Sequence, residues 1–141
     1  MTIPRVLPHL EGRKALVVGI ANDQSIAWGC AKWLRALGAD LAITYLNEKA
    51  KRFVQPLADE LEAKIVMPLN VTEAGQTEAV FERIAKDWGR LDTMVHSIAF
   101  SPKEALHGRV VDVTRDGFAI TLEVSCWSFL RMAHLAEPLM T

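Results

Sequence analysis

Short apolar runs alternate with amphipathic stretches along almost the whole chain. The runs over 14–18 (KALVV), 40–45 (DLAITY), 64–69 (KIVMPL) and 93–98 (TMVHSI) are brief and nearly continuous, the pattern of strands buried on both faces. Between them apolar residues return at helical spacing. Over 25–37 these are Ile26, Ala27, Cys30, Ala31, Leu34 and Leu37, and over 48–61 they are Ala50, Phe53, Val54, Leu57, Ala58 and Leu61. Over 73–88 they are Ala79, Val80, Phe81, Ile84 and Ala85. A short helix is expected around 111–113. A final long one over 115–139 carries Phe118, Leu122, Ser125, Cys126, Phe129, Leu130, Ala133 and Ala136.

The punctuation agrees with these boundaries. Ser25 stands where an N-cap belongs, and Gly38 and Gly89 stand where helices stop. Pro56 inside the second helix predicts a kink or a split. Pro68, near the end of the third strand, fits best at a sheet edge. Residues 1–13, with Pro4 and Pro8, read as an irregular leader closing at a Glu11-Gly12 turn. Strands alternating with amphipathic helices give an α/β fold: a Rossmann-like doubly wound parallel sheet with expected strand order 3-2-1-4. No linker divides the chain, so 1–141 is read as one domain.

Composition narrows the function classes. The 16 Lys+Arg and 17 Asp+Glu leave a net charge of −1, with no electrostatic footprint for nucleic acid or an anionic membrane. The opening MTIPRVLPHLEGRK lacks the apolar core of a signal peptide, and no apolar stretch is long enough to span a bilayer, so a cytoplasmic protein is expected. Cys30 and Cys126 are far apart and show no metal-ligand or redox spacing, so both are expected to be small packed residues.

The chemistry gathers at the strand ends. The turn after the first strand reads Gly19-Ile20-Ala21-Asn22-Asp23-Gln24-Ser25-Ile26-Ala27-Trp28-Gly29. Gly19 supplies the tight exit, Ala21 and Ala27 permit close backbone approach, and the helix N-terminus that follows suits a diphosphate. Ser25 is expected to cap that helix and donate to a phosphate, while Gly29 would let the helix pack close to the sheet. This is not G-x-G-x-x-G, and taken alone it also describes a plain strand–helix turn. In an open α/β sheet, ligands bind outside the carboxyl ends of the strands. Those ends here are Tyr45-Leu46-Asn47, Leu69-Asn70-Val71 and His96-Ser97-Ile98-Ala99, where Asn70 could accept from an adenine amino group. Asn and Ser are also common turn residues.

Several motifs in order resemble one family. The Gly-(x)5-Ser-Ile-Ala-x-Gly loop, the N-V-T after the third strand and V-H-S-I-A-F-S-P after the fourth resemble bacterial NADH-dependent enoyl-acyl-carrier-protein reductases. These are divergent members of the short-chain dehydrogenase/reductase superfamily. D-V-T-R-D-G-F and V-S-x-x-S-F add to a likeness running from about Gly12 onward. It implies an NADH-dependent enzyme of fatty acid synthesis, acting on an enoyl substrate carried by acyl-carrier protein and assembled as a homotetramer. It implies cofactor contacts at Gly19, Ile20 and Ala21, at Ser25 and Ile26 near the phosphates, and at Leu46 by the adenine ribose. Asn70 and Val71 would bracket the adenine, and Ser97, Ile98 and Ala99 would face the nicotinamide-side ribose. This sequence departs from the family at Asn70, often Asp, at Ala99, often Gly, and at Leu46, often polar.

The resemblance also puts the catalytic Tyr-(x)6-Lys after the long helix. The one tyrosine here, Tyr45, ends the second strand on the adenosine side, so no catalytic residue is assigned. The 141-residue chain is expected to be the cofactor-binding half of such an enzyme and inactive alone. The alternatives are a non-catalytic nucleotide-binding fragment and a short-chain dehydrogenase of other substrate. His96 is placed for a packing or hydrogen-bonding role near the ribose site. Ser125 and Ser128 are read as helix-surface or packing residues.

Overall fold

A computed structural model describes residues 9–140. Four parallel strands, β1 (Lys14–Val18), β2 (Asp40–Tyr45), β3 (Ile65–Pro68) and β4 (Thr93–His96), form one sheet in the order β3-β2-β1-β4. Helices α1 (Ile26–Ala36), α2 (Glu48–Glu60) and α3 (Gln76–Trp88) make the crossovers. After β4 come short 3₁₀ turns at Lys103–Leu106 and Val110–Asp112, then α4 (Arg115–Leu122) and α5 (Ser128–Ala136). Fold class and strand order match the reading from sequence. The expected leader lies in part outside the described residues, but the turn at Glu11-Gly12 is present.

The period-two geometry of the strands sorts the core into two layers. Ala15, Val17, Leu41, Ile43 and Tyr45 face one way, against Ala27, Trp28 and Ala31 of α1 and Val54 and Ala58 of α2. Leu16, Val18, Ala42 and Ile65 face the other way, against Val80, Phe81 and Ile84 of α3 and Met132 and Ala136 of α5. Leu16, Val17, Leu41 and Ile43 are at most 1% exposed, so β1 and β2 are covered on both sides. Each such aliphatic side chain stabilises the fold by about 1.5–3 kcal/mol through burial.

Several sequence expectations need correction. Pro56 does not split α2: the proline and Arg52, whose carbonyl loses its N–H partner, both face solvent, where water can replace the lost bond. Gly29 does not bring α1 closer to the sheet, because a Cβ there would meet nothing within 4 Å. Ala27, Trp28 and Ala31 form the contact instead. Cys30 is half-buried and Cys126 is exposed, so neither is a packed core residue. The helix expected over 115–139 is interrupted by a π turn at Glu123–Trp127 and closes in a 3₁₀ turn at Glu137–Leu139. Pro68 lies on an edge strand, as its missing donor requires.

One carboxylate ties the amino ends of the central strands together. Asp92, just before β4, accepts from the Lys14 backbone N–H (2.8 Å) and from Arg13 Nη1 (2.8 Å), and Arg90 also donates to it. Desolvation pushes its pKa up. The hydrogen bonds from Arg90, the Lys14 N–H and Arg13 outweigh that and hold the carboxyl well below its ordinary value. A carboxylate with a depressed folded-state pKa stabilises fully above its unfolded value of about 3.9, and that stabilisation fades as pH falls below it. Asp92→Asn is therefore expected to cost about 1–3 kcal/mol at neutral pH and only modestly less near pH 3, because the stabilisation is lost in full only below the folded-state pKa; urea midpoints at the two pH values read the difference.

Candidate dinucleotide-binding site

The chain leaves β1 for β2 and β3 on one side and returns to β4 on the other, so the order reverses beside β1. A cavity of about 580 Å³ opens there, at the carboxyl ends of all four strands. Its size falls within the range of small-molecule sites, about 300–1,000 Å³. The β1 exit contributes Val18 to Ala21, β2 contributes Thr44 and Leu46, and the segment after β3 contributes Leu69 to Thr72. Ser97 to Phe100 after β4 line the far end, and Ile120 and Val124 of the last helical segment wall it. None of the lining residues carries a formal charge.

The exits of β1 and β4 pass close to each other. Ser97 N–H donates to the Val18 carbonyl at 2.9 Å, extending the β1–β4 ladder past Val18 and His96. Gly19 then turns with φ +110°, and a Cβ there would lie 2.1 Å from the Ser97 carbonyl oxygen. Glycine is required both by the dihedral and by the contact.

Helix α1 begins at Ile26, five residues after Ala21, the last cavity-lining residue of the β1 exit. Its N-cap, Ser25, has the expected extended backbone but makes no side-chain cap. The hydroxyl donates to the Asn22 carbonyl at 2.7 Å, while Asn22 Oδ1 takes the Gln24 N–H at 2.9 Å. Loop closure has thus used the group expected to cap. Trp28 N–H donates to the Ser25 carbonyl at 3.0 Å, while the Ile26 and Ala27 N–H groups have no acceptor among the described residues, which leaves the positive end of the helix to them.

Nine of the eleven residues singled out from sequence surround this cavity: Gly19, Ile20, Ala21, Leu46, Asn70, Val71, Ser97, Ile98 and Ala99. Ser25 and Ile26 do not line it, and Ile26 is 80% exposed on the outer side of α1. Asn70 differs from expectation in detail. Its Oδ1 already accepts from Thr72 N–H (3.2 Å) and Thr72 Oγ1 (2.9 Å), so both lone pairs serve the turn. The amide NH₂ is what remains for a ligand, and it is a donor, not the acceptor that an adenine amino group needs. Tyr45 is buried and lies outside the lining, so it offers the cavity no hydroxyl.

Three hydroxyls on the last helical segment hold the strand-four exit in place. Thr121 gives its proton to the Gly117 carbonyl (2.7 Å) and so accepts from Ser101 Oγ at 2.9 Å. Ser125 Oγ accepts the Phe100 N–H at 3.1 Å and donates to the Phe100 carbonyl at 3.2 Å. Ser128, buried, donates to the Val124 carbonyl at 2.7 Å, which makes it the acceptor for His96 Nε2 at 2.7 Å. Spacings of four and three put the three on one helix face. The signal was present as i, i+4, i+7 hydroxyls, but their partners lie up to 32 residues back along the chain. Apolar periodicity cannot report such pairings.

Burial pushes the His96 pKa down, partly offset by a backbone hydrogen bond. The ring also packs edge-on against Phe129, with centroids 5.5 Å apart. The folded chain therefore disfavours the imidazolium. The unfolded state binds more protons as pH falls through about 6.5, and stability drops with it. His96→Gln keeps a donor for Ser128 without the titration. Its urea midpoint is expected to change less than that of the parent chain between about pH 7.5 and pH 5.5.

Comparison with known proteins places the chain. The model of the enoyl-(acyl carrier protein) reductase family matches residues 19–141. The enoyl-[acyl-carrier-protein] reductase [NADH] 2 of Rhizobium meliloti is 44% identical over 132 residues, 94% of this chain and 49% of the relative. The enoyl-(acyl-carrier-protein) reductase of Anaplasma phagocytophilum, solved in complex with NAD, superposes with a TM-score of 0.90 at 44% identity. That match covers 96% of this chain and 52% of the other. The Bacillus cereus enoyl-acyl carrier protein reductase, solved with NADP+, also gives 0.90, at 39% identity and with 96% and 53% covered. The chain spans about half the length of the curated relatives it matches. By sequence over most of its length and by backbone geometry, it belongs to the enoyl-(acyl carrier protein) reductase family.

Proposed function

We propose that this chain holds NAD(H) in the strand-end cavity and forms the cofactor-binding half, residues 1–141, of an NADH-dependent enoyl-acyl-carrier-protein reductase of fatty acid synthesis. The observation that carries this reading is the convergence of the β1, β3 and β4 exits on one uncharged cavity at the point where the strand order reverses. The residues fit such a cofactor. The N–H groups at the start of α1 and the backbone of Gly19 to Ala21 offer dipoles to a diphosphate. Ser25 and Ile26 belong to this end through their backbone. Leu46, Asn70 and Val71 form the adenosine end, and Ser97 to Ala99, with Ile120 and Val124, form the nicotinamide end.

The bound dinucleotide supplies a hydride. The chain's part is to orient it, and the Phe100–Ser125 and His96–Ser128 pairings fix the backbone along the nicotinamide end. The proposed substrate is an enoyl thioester on acyl-carrier protein, in keeping with the names of the relatives. A homotetramer is proposed because Phe118, Leu122, Phe129 and Leu130 leave an apolar surface along the last helices. No helix among the described residues is long and apolar enough to cross a membrane, which supports a cytoplasmic setting.

Titration of the chain with NADH, followed by nicotinamide fluorescence, is expected to saturate. Adding an enoyl thioester is expected to leave NADH unconsumed, since the one tyrosine is buried in β2. Failure to saturate would remove the reading, and steady NADH oxidation would overturn the assignment of no catalytic residue. Asn70→Asp keeps the acceptor that Thr72 uses and turns the free edge into a second acceptor for an adenine amino group. It is expected to lower the NADH dissociation constant about three- to tenfold in the same titration.

A further inference from the structure

Two backbone units at the far end of the cavity have nothing to bond within the chain. Ile98 and Ala99 both line it, and neither has a backbone hydrogen-bond partner among the described residues. An N–H or C=O left free beside a cavity is a contact for a ligand, and the residues on either side set its direction. On one side, Ser97 N–H is bound to the Val18 carbonyl at 2.9 Å. On the other, the Phe100 backbone is held by a single side chain among the described residues. Ser125 Oγ accepts its N–H at 3.1 Å and donates to its carbonyl at 3.2 Å.

A hydroxyl that serves the N–H and the carbonyl of one residue does what an opposite residue does in an antiparallel sheet, where the two exchange both bonds. Ser125 thus stands in for a neighbouring strand where β4 has already ended. It is the middle residue of the π turn Glu123–Trp127, and Val124 beside it lines the cavity. Such turns inside α-helices occur frequently at functional sites. Fastening the segment to the helix does not require this clasp. His96 already meets Ser128 at 2.7 Å, and Ser101 meets Thr121 at 2.9 Å. What the clasp adds is the orientation of the backbone between those two points.

We propose that Ser125 is a positioning residue for the nicotinamide end of the bound dinucleotide. It acts through the Phe100 backbone to aim the free Ile98 and Ala99 groups at the ligand. The proposal rests on the dinucleotide reading above. Linkage makes the effect reciprocal: a clasp that strengthens the nicotinamide contact is itself strengthened by nicotinamide, by the same factor.

The test is calorimetric titration of the full chain and of Ser125→Ala with NADH and with ADP-ribose, which has the adenosine and diphosphate but no nicotinamide. Ser125→Ala is expected to raise the NADH dissociation constant about three- to tenfold and that of ADP-ribose by less than about twofold. Ser125→Thr keeps the hydroxyl and is expected to return the NADH value to within about twofold of the parent. Equal weakening of both ligands would mark a merely structural residue and overturn the inference. An unchanged NADH value in Ser125→Ala, or a threonine variant no better than alanine, would overturn it too. Should circular dichroism show Ser125→Ala unfolded, the parent chain supplies the test. Solvent exchange of the Phe100 amide proton, followed by NMR, is expected to slow about three- to tenfold more under saturating NADH than under saturating ADP-ribose. Equal slowing would overturn the inference and leave the dinucleotide reading standing. Failure of the parent chain to bind NADH would overturn both.

Discussion

The contact on which the site depends is a backbone carbonyl filling the space where a side chain would be. The Ser97 carbonyl lies where a Cβ on residue 19 would stand, so the exits of β1 and β4 approach more closely than any residue with a side chain there would allow. That closeness lets one hydrogen bond continue the ladder beyond the strands while the two segments diverge immediately afterwards. The divergence is the cavity. Any side chain at Gly19 would push the β4 exit away and spread the lining that the other strand ends complete.

The two ends of the sheet are built on different physics. At the amino ends, formal charges are concentrated on Asp92, which holds β1 and β4 in register through three donors. At the carboxyl ends the lining carries no charge, and the polar work falls to backbone dipoles and hydroxyls. A buried or half-buried charge needs its partners wherever it is placed. Placing the charge cluster at the end away from the cavity leaves the ligand end with dipoles alone.

The fold was legible because each level of the chain agreed with the next. Short, nearly continuous apolar runs, helical periodicity between them and glycines at helix ends all specified alternating strands and helices. Most of the lining was legible too, since strand ends are where such sheets bind ligands, and Gly19, Asn70 and Ser97 are strand-end residues. Local hydrogen bonding was not. Ser25 looks like a capping residue and is one by backbone, yet its hydroxyl closes the Asn22 loop. Asn70 has the right oxygen for adenine, yet Thr72, two residues away, uses it. In both cases a short-range competitor for the same atom wins, and residue type alone does not rank competitors. The π turn escaped for a related reason: one widened turn barely disturbs the spacing of Phe118, Leu122 and Phe129.

The three hydroxyl pairings also have a direction. With the Thr121 and Ser128 protons committed to carbonyls of their own helix, Ser101 and His96 are obliged to be donors. For His96 that fixes the tautomer, with the proton on Nε2. An imidazolium donates from the same nitrogen, so acid leaves the bond to Ser128 intact and places the added proton on Nδ1. The β4 exit thus keeps its anchor on the helix while the ring becomes charged, and acidification weakens the chain's stability without first releasing the segment that lines the far end of the cavity.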